Sequence, residues 1–69
     1  MITTDVGNRI RELRKTLGIS QEKLAEIAGI DRTYLASVEN GKRNISIVNL
    51  EKIIVALNVT ISDFFSTFK

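Results

Sequence analysis

Apolar residues recur along this chain at helical intervals, and each periodic stretch is bracketed by residues that start or stop helices. From Asp5 to Leu17 the residues Val6, Ile10, Leu13 and Leu17 are spaced four, three and four apart, which lines one face of a helix and leaves Arg9, Arg11, Glu12 and Lys15 to water. Gly18 predicts a left-handed stop. Ser20 predicts an N-cap for a short helix from Gln21 to Ala28, with Leu24, Ala25 and Ala28 turned inward and Gly29 ending it. Asp31 can cap the next helix, Arg32 to about Asn40, whose Leu35 and Val38 have core spacing and which Asn40-Gly41 closes. After a basic loop from Lys42 to Ile45, Ser46 caps a fourth helix that runs to Leu57 with Ile47, Leu50, Ile53, Ile54 and Leu57 on its inner side. Asn58 is placed for a left-handed exit. Thr60-Ile61-Ser62-Asp63 has the capping-box spacing and introduces a final short helix carrying Phe64, Phe65 and Phe68, with Lys69 as a frayed end. Five helices and no strand pattern predict an all-α fold, a compact five-helix domain over residues 1–69 without linker or repeat.

Composition narrows what such a domain can do. An apolar content of 43% supplies one small interior, and the absence of proline with only four glycines suits helices, the glycines falling at expected helix ends. There is no cysteine and no histidine, so disulfides, the usual zinc ligand sets, Ser-His-Asp triads and Cys-His pairs cannot be assembled, and no cofactor or metal is expected. No nucleophile stands with a base, so the chain is not expected to be an enzyme. The longest apolar run, Ile53 to Leu57, is far short of the roughly 20 residues a membrane span needs, and the polar Thr3-Thr4-Asp5 opening is no secretory signal. A cytoplasmic protein without a membrane partner is expected. Ten Lys and Arg against eight Asp and Glu give a net charge of +2, so where the charges stand matters more than their sum.

Two short helices separated by Gly29-Ile30-Asp31 form the helix-turn-helix arrangement, in which the first helix lies across a DNA backbone and the second enters the major groove. Ala25 and Ala28 allow close approach, and Gly29 lets the backbone reverse. The run Leu17-Gly18-Ile19-Ser20-Gln21-Glu22-Lys23-Leu24-Ala25, then Gly29 to Leu35, then Val38-Glu39-Asn40-Gly41-Lys42-Arg43, closely resembles the phage repressor and Cro-like helix-turn-helix family. The resemblance extends from about Val6 to Phe65. Within that family, Asp31-Arg32-Thr33-Tyr34 followed by Arg43-Asn44-Ile45-Ser46 looks most like the controller proteins of restriction-modification systems.

The resemblance implies roles for particular residues. Arg32 and Thr33 stand where the family's residues reach base edges, and an arginine fork fits guanine O6 and N7. Ala36 and Ser37 lie one turn on and offer a methyl contact to thymine and a short hydroxyl donor. A cation at the positive end of a helix is slightly unfavourable, which argues that Arg32 is there for another reason. Gln21 occupies a position the family uses for a phosphate, helped by the free amides of its helix, and Tyr34, Asn40, Lys42 and Arg43 would hold the backbone across the groove, with Arg43 also able to contact a base. Arg9 or Arg11 would add diffuse attraction. Arg14 and Glu39 match positions that form a partly buried, structural ion pair in some phage repressors.

A single recognition helix reads only a few bases, at roughly 1 to 3 kcal/mol per good contact, too little to select one site in a genome, so two copies are expected. Val48 and Val55 are seven residues apart on one stripe, and Ile61 and Phe68 stand outside the core spacing. A homodimer surface within residues 46–68 is therefore predicted from Val48, Val55, Asn58, Val59, Ile61 and Phe65, setting two reading helices roughly 34 Å apart. The function implied is a transcriptional regulator, repressor or activator, binding a palindromic double-stranded DNA operator as a homodimer, with RNA polymerase as a further partner. The alternative is an antitoxin-type protein-interaction module, which usually brings an additional partner-wrapping segment.

Overall fold

A computed structural model describes residues 1–68, so the expectation for Lys69 lies outside the described residues. Five α-helices occur among them: α1 (Ile2–Leu17), α2 (Gln21–Ala28), α3 (Arg32–Glu39), α4 (Ile47–Ala56) and α5 (Ile61–Phe65). Four of the five starts are fixed by the side chains expected to cap them. Ser20, Asp31, Ser46 and Thr60 each accept a hydrogen bond from the backbone N–H three residues on, at 3.0 to 3.1 Å. The chain leaves α1 and α2 through left-handed Gly18 and Gly29, and Asn58 takes the same conformation after α4 at φ 60°.

Helix α1 begins at Ile2 rather than Asp5, adding almost a turn in which Ile2 continues the apolar spacing four residues before Val6 but stays more than half exposed. Helices α3 and α4 stop one residue earlier than predicted, at Glu39 and Ala56. Phe68 lies beyond α5, yet it packs on the core and stacks on Phe64 with ring centroids 6.3 Å apart, so its place outside the helical spacing does not put it on the surface.

The core is one cluster to which all five helices contribute: Val6, Ile10, Leu24, Ala25, Leu35, Val38, Ile53, Ile54, Leu57 and Phe64. Helix α1 packs on α3, α2 on both α3 and α4, and α5 closes the open side of α4. Two residues predicted to face inward do not. Leu17 is half exposed and Ile47 is 83% exposed. Both sit at a helix end, where the periodicity gives the right angle around the axis but no neighbouring helix extends far enough to cover them.

Gly7 departs from the expectation that glycines mark helix ends. It is buried in the middle of α1, where a Cβ would stand 2.3 Å from the Val38 carbonyl oxygen and 2.9 Å from that of Glu39. Backbone of α1 therefore touches backbone of α3, and only hydrogen fits between them. This contact sets the depth at which the last turn of α3 rests on α1.

Candidate nucleic-acid interface

The α2–turn–α3 unit presents a free edge at the start of α3. Asp31 Oδ2 accepts from the Tyr34 N–H at 3.1 Å, so the helix begins sharply and its first two residues, Arg32 and Thr33, project into solvent. Leu35 and Val38 anchor the opposite side in the core. Ala36 and Ser37, one turn on, are half-buried, with one side against the protein and one side open.

A buried charge network fixes this edge from behind. The side chain of Glu39 has no exposed surface and takes both donors of Arg14, with Nε at 2.9 Å and Nη2 at 3.1 Å. Arg14 also donates Nη1 to the Ile19 carbonyl at 2.9 Å, which ties it to the loop before α2. The predicted ion pair is thus two-pronged, and its carboxylate is fully rather than partly buried. Gln21 donates Nε2 to Glu39 Oε1 at 3.1 Å. One of the two N–H groups of the side-chain amide expected to meet a phosphate is therefore engaged within the protein, and the other is left, with the backbone amides at the start of α2, for an outside acceptor.

Two arginines assigned to water are instead structural. Arg11 lies one turn before Arg14 on the same face of α1; it donates Nη2 to the Glu39 carbonyl at 3.0 Å and to Asn40 Oδ1 at 2.8 Å, with its Nε 3.6 Å from Glu39 Oε1. Because the oxygen of the Asn40 amide is held by Arg11, its Nδ2 is turned away and can donate outward. Arg9 donates to the carbonyls of Asp63 and Phe64, both at 2.7 Å, closing the end of α5, and it also pairs with Glu12. These carbonyls lie more than fifty residues away in sequence, and no local pattern could have shown the contact.

On the far side of the groove-facing edge, Lys42 and Arg43 are exposed. The Arg43 guanidinium carbon stands 5.1 Å from the centroid of the Tyr34 ring, a cation–π arrangement that steadies a long side chain. The Tyr34 hydroxyl in turn accepts from Asn49 Nδ2 at 3.3 Å. Asn49 was not singled out from the sequence; the available signal was its place three residues after the Ser46 cap, on the first turn of a helix that follows the basic loop directly.

A second surface lies on α4 and α5. Ile47, Val48, Val55 and Ile61 are each more than half exposed, and Ile47, Val48 and Ile61 line a groove of about 330 Å³ floored by Leu50, Ile54 and Phe65. Asn58 is exposed in the turn between α4 and α5, whereas Val59 and Phe65 are half-buried and pack on the core. Ile47, expected inside, belongs to this apolar face. No group of three or more metal-ligating side chains occurs among the described residues, and no helix there is long and apolar enough to cross a membrane.

Residues 10–64 match the helix-turn-helix family. The chain is 52% identical over 61 residues to the control protein C.MunI of Mycoplasma sp, an alignment that takes in 87% of this chain and 82% of the relative. Among solved structures, the restriction-modification controller protein C.AhdI of Aeromonas hydrophila superposes with a TM-score of 0.87 at 44% identity, covering 91% of this chain and 96% of the other. The restriction-modification controller protein C.Esp1396I, seen as a tetramer in complex with its natural 35 base-pair operator, superposes with a TM-score of 0.91 at 35% identity, covering 96% and 87%.

Proposed function

This chain belongs to the helix-turn-helix family, and from that premise we propose that it is a sequence-specific DNA-binding transcriptional regulator of the restriction-modification controller kind, binding a two-fold-related operator as a homodimer. The observation that carries this reading is the exposed Arg32-Thr33 pair at the open start of α3, held from behind by a buried carboxylate that three side chains of α1 and α2 share. A side chain can read a base edge only if the helix bearing it is stationary, and this network removes the freedom of α3 to rock on α1.

In this reading Arg32 and Thr33 meet base edges, and the half-open Ala36 and Ser37 allow the helix to sit close to the groove floor. The amides at the start of α2 around Gln21, the outward Nδ2 of Asn40, Lys42 and Arg43 hold phosphates on either side, with Tyr34 steadying Arg43. Ile47, Val48, Val55 and Ile61, with Asn58 at the edge, form the two-fold contact, while Val59 and Phe65 support it from the core side. The protein binds rather than catalyses.

Selection of bound duplexes from a random pool tests the reading. The expected product is a pair of inverted half-sites separated by about one DNA turn, roughly 34 Å between centres. Recovery of unrelated sequences, or of a single half-site without a symmetric partner, would overturn it.

A further inference from the structure

We propose that Asn40 is a deamidation site whose conversion to aspartate or isoaspartate silences DNA binding, and that the folded chain restrains this reaction through Arg11 and the turn at Gly41. The silencing rests on the reading of Asn40 as a phosphate contact; the chemistry does not. Asn40 is the one asparagine of the chain followed by glycine, and a glycine places no side chain over its own nitrogen. In the reaction Gly41 N attacks Asn40 Cγ. The N–Cγ bond forms, the Cγ–Nδ2 bond breaks, and ammonia leaves with the proton from Gly41 N–H. Water then opens the cyclic imide at either carbonyl, giving an aspartyl or an isoaspartyl link without any redox change.

The native geometry opposes ring closure in three ways. Asn40 has ψ 0°, which places the Gly41 nitrogen alongside the Asn40 nitrogen, so Cα–C must turn by roughly a third of a rotation before that nitrogen eclipses Cβ. The Gly41 N–H is engaged with the Val38 carbonyl at 3.0 Å. The Asn40 carboxamide is held by Arg11 at 2.8 Å. The glycine that makes the pair labile is nonetheless favoured by the fold: Gly41 has φ 72°, and a Cβ there would stand 3.1 Å from Thr4 Oγ1 and 3.2 Å from Thr4 Cα. A bulkier residue that would protect Asn40 is therefore strained there, by its positive φ and by close contact with Thr4.

The product has the opposite electrostatic sense. An aspartate replaces the outward donor by an acceptor bearing negative charge, next to buried Glu39 and within reach of Arg11, on the surface that faces phosphates. An isoaspartate additionally inserts one backbone atom into the turn that joins α3 to the basic loop.

The full chain is aged in mildly alkaline buffer, folded and in denaturing urea, with intact mass and peptide separation as readouts. The expected result is exchange of NH2 for OH at Asn40 before any other asparagine, with a rate in urea at least about tenfold the folded rate, as reaction through local opening requires. Equal rates, or first modification at Asn8, Asn44, Asn49 or Asn58, would overturn the proposal. Arg11→Ala should raise the folded-state rate by more than its unfolded fraction, measured by urea titration, accounts for; no such excess removes Arg11 as a guard. Aged protein and Asn40→Asp are then compared with fresh protein on a random-sequence duplex at low salt, where about tenfold weaker binding is expected. Undiminished binding by the modified forms refutes the silencing and leaves the DNA reading intact. If fresh protein itself binds no duplex, the DNA reading fails and the silencing with it, while the ageing rates still judge the site.

Discussion

The edge presented by α3 and the face presented by α4 and α5 are both open to solvent, but different forces hold them. Behind Arg32 and Thr33 the core packing of Leu35 and Val38 is joined by directional contacts: a bidentate Arg14–Glu39 pair, a Gln21 amide on the same carboxylate, and Arg11 bridging to Asn40. Behind Ile47, Val48 and Ile61 lies mainly the packed aliphatic and aromatic interior of Leu50, Ile54 and Phe65, with the Arg9 hydrogen bonds confined to the far end of α5. Directional contacts fix position to a fraction of an ångström and fail sharply when one member is removed, whereas area-driven packing tolerates exchange of one apolar residue for another. Reading bases needs the first property. Joining two copies needs mainly the second.

Substitutions can break this contrast or sharpen it. The largest effect is expected for Glu39→Ala, which strands Arg14 and Arg11 beside a cavity and should cost about 3 to 5 kcal/mol in urea denaturation. A parent-like midpoint would mean that the network contributes nothing to the edge it backs. Next comes Ile61→Asp, which would set two carboxylates at the proposed two-fold contact and should raise the dimer dissociation constant by roughly two to three orders of magnitude in analytical ultracentrifugation while leaving helicity unchanged. Ile61→Leu should leave it within about threefold, as expected of area-driven packing. An intact dimer in the aspartate variant excludes this face as the contact.

Arg32→Ala should lose about 1 to 3 kcal/mol on a selected operator, measured by fluorescence anisotropy, and little on random DNA. Equal losses on both would remove it from the residues that distinguish sequences. The smallest change is expected for Lys42→Ala, which should weaken binding uniformly and lower the slope of log affinity against log salt by about one. A salt slope identical to the parent's would take Lys42 off the phosphate path.

Much of the site was legible because helix starts are local chemistry. Ser20 and Asp31 must lie one residue before α2 and α3 to satisfy their amides, and that alone places Arg32 and Thr33 at an open end. The partners of Arg9 and Arg11 were hidden for the opposite reason. A long cationic side chain on a polar stripe has the same pattern whether it is solvated or reaches a carbonyl of another helix. Ile47 and Leu17 misled because periodicity reports direction around an axis and not whether a neighbour is present along it.

Sequence alone therefore determined where four of the five helices begin, most of the stripe that each turns inward and which residues stand at the free start of α3, since caps and periodicity act within a few residues. Tertiary structure decided that Gly7 must be glycine, that one buried carboxylate gathers Arg14, Arg11 and Gln21, and that the amide of Asn40 turns its donor outward. Those facts depend on how closely α1 meets α3, a distance that emerges only when separate helices share one core.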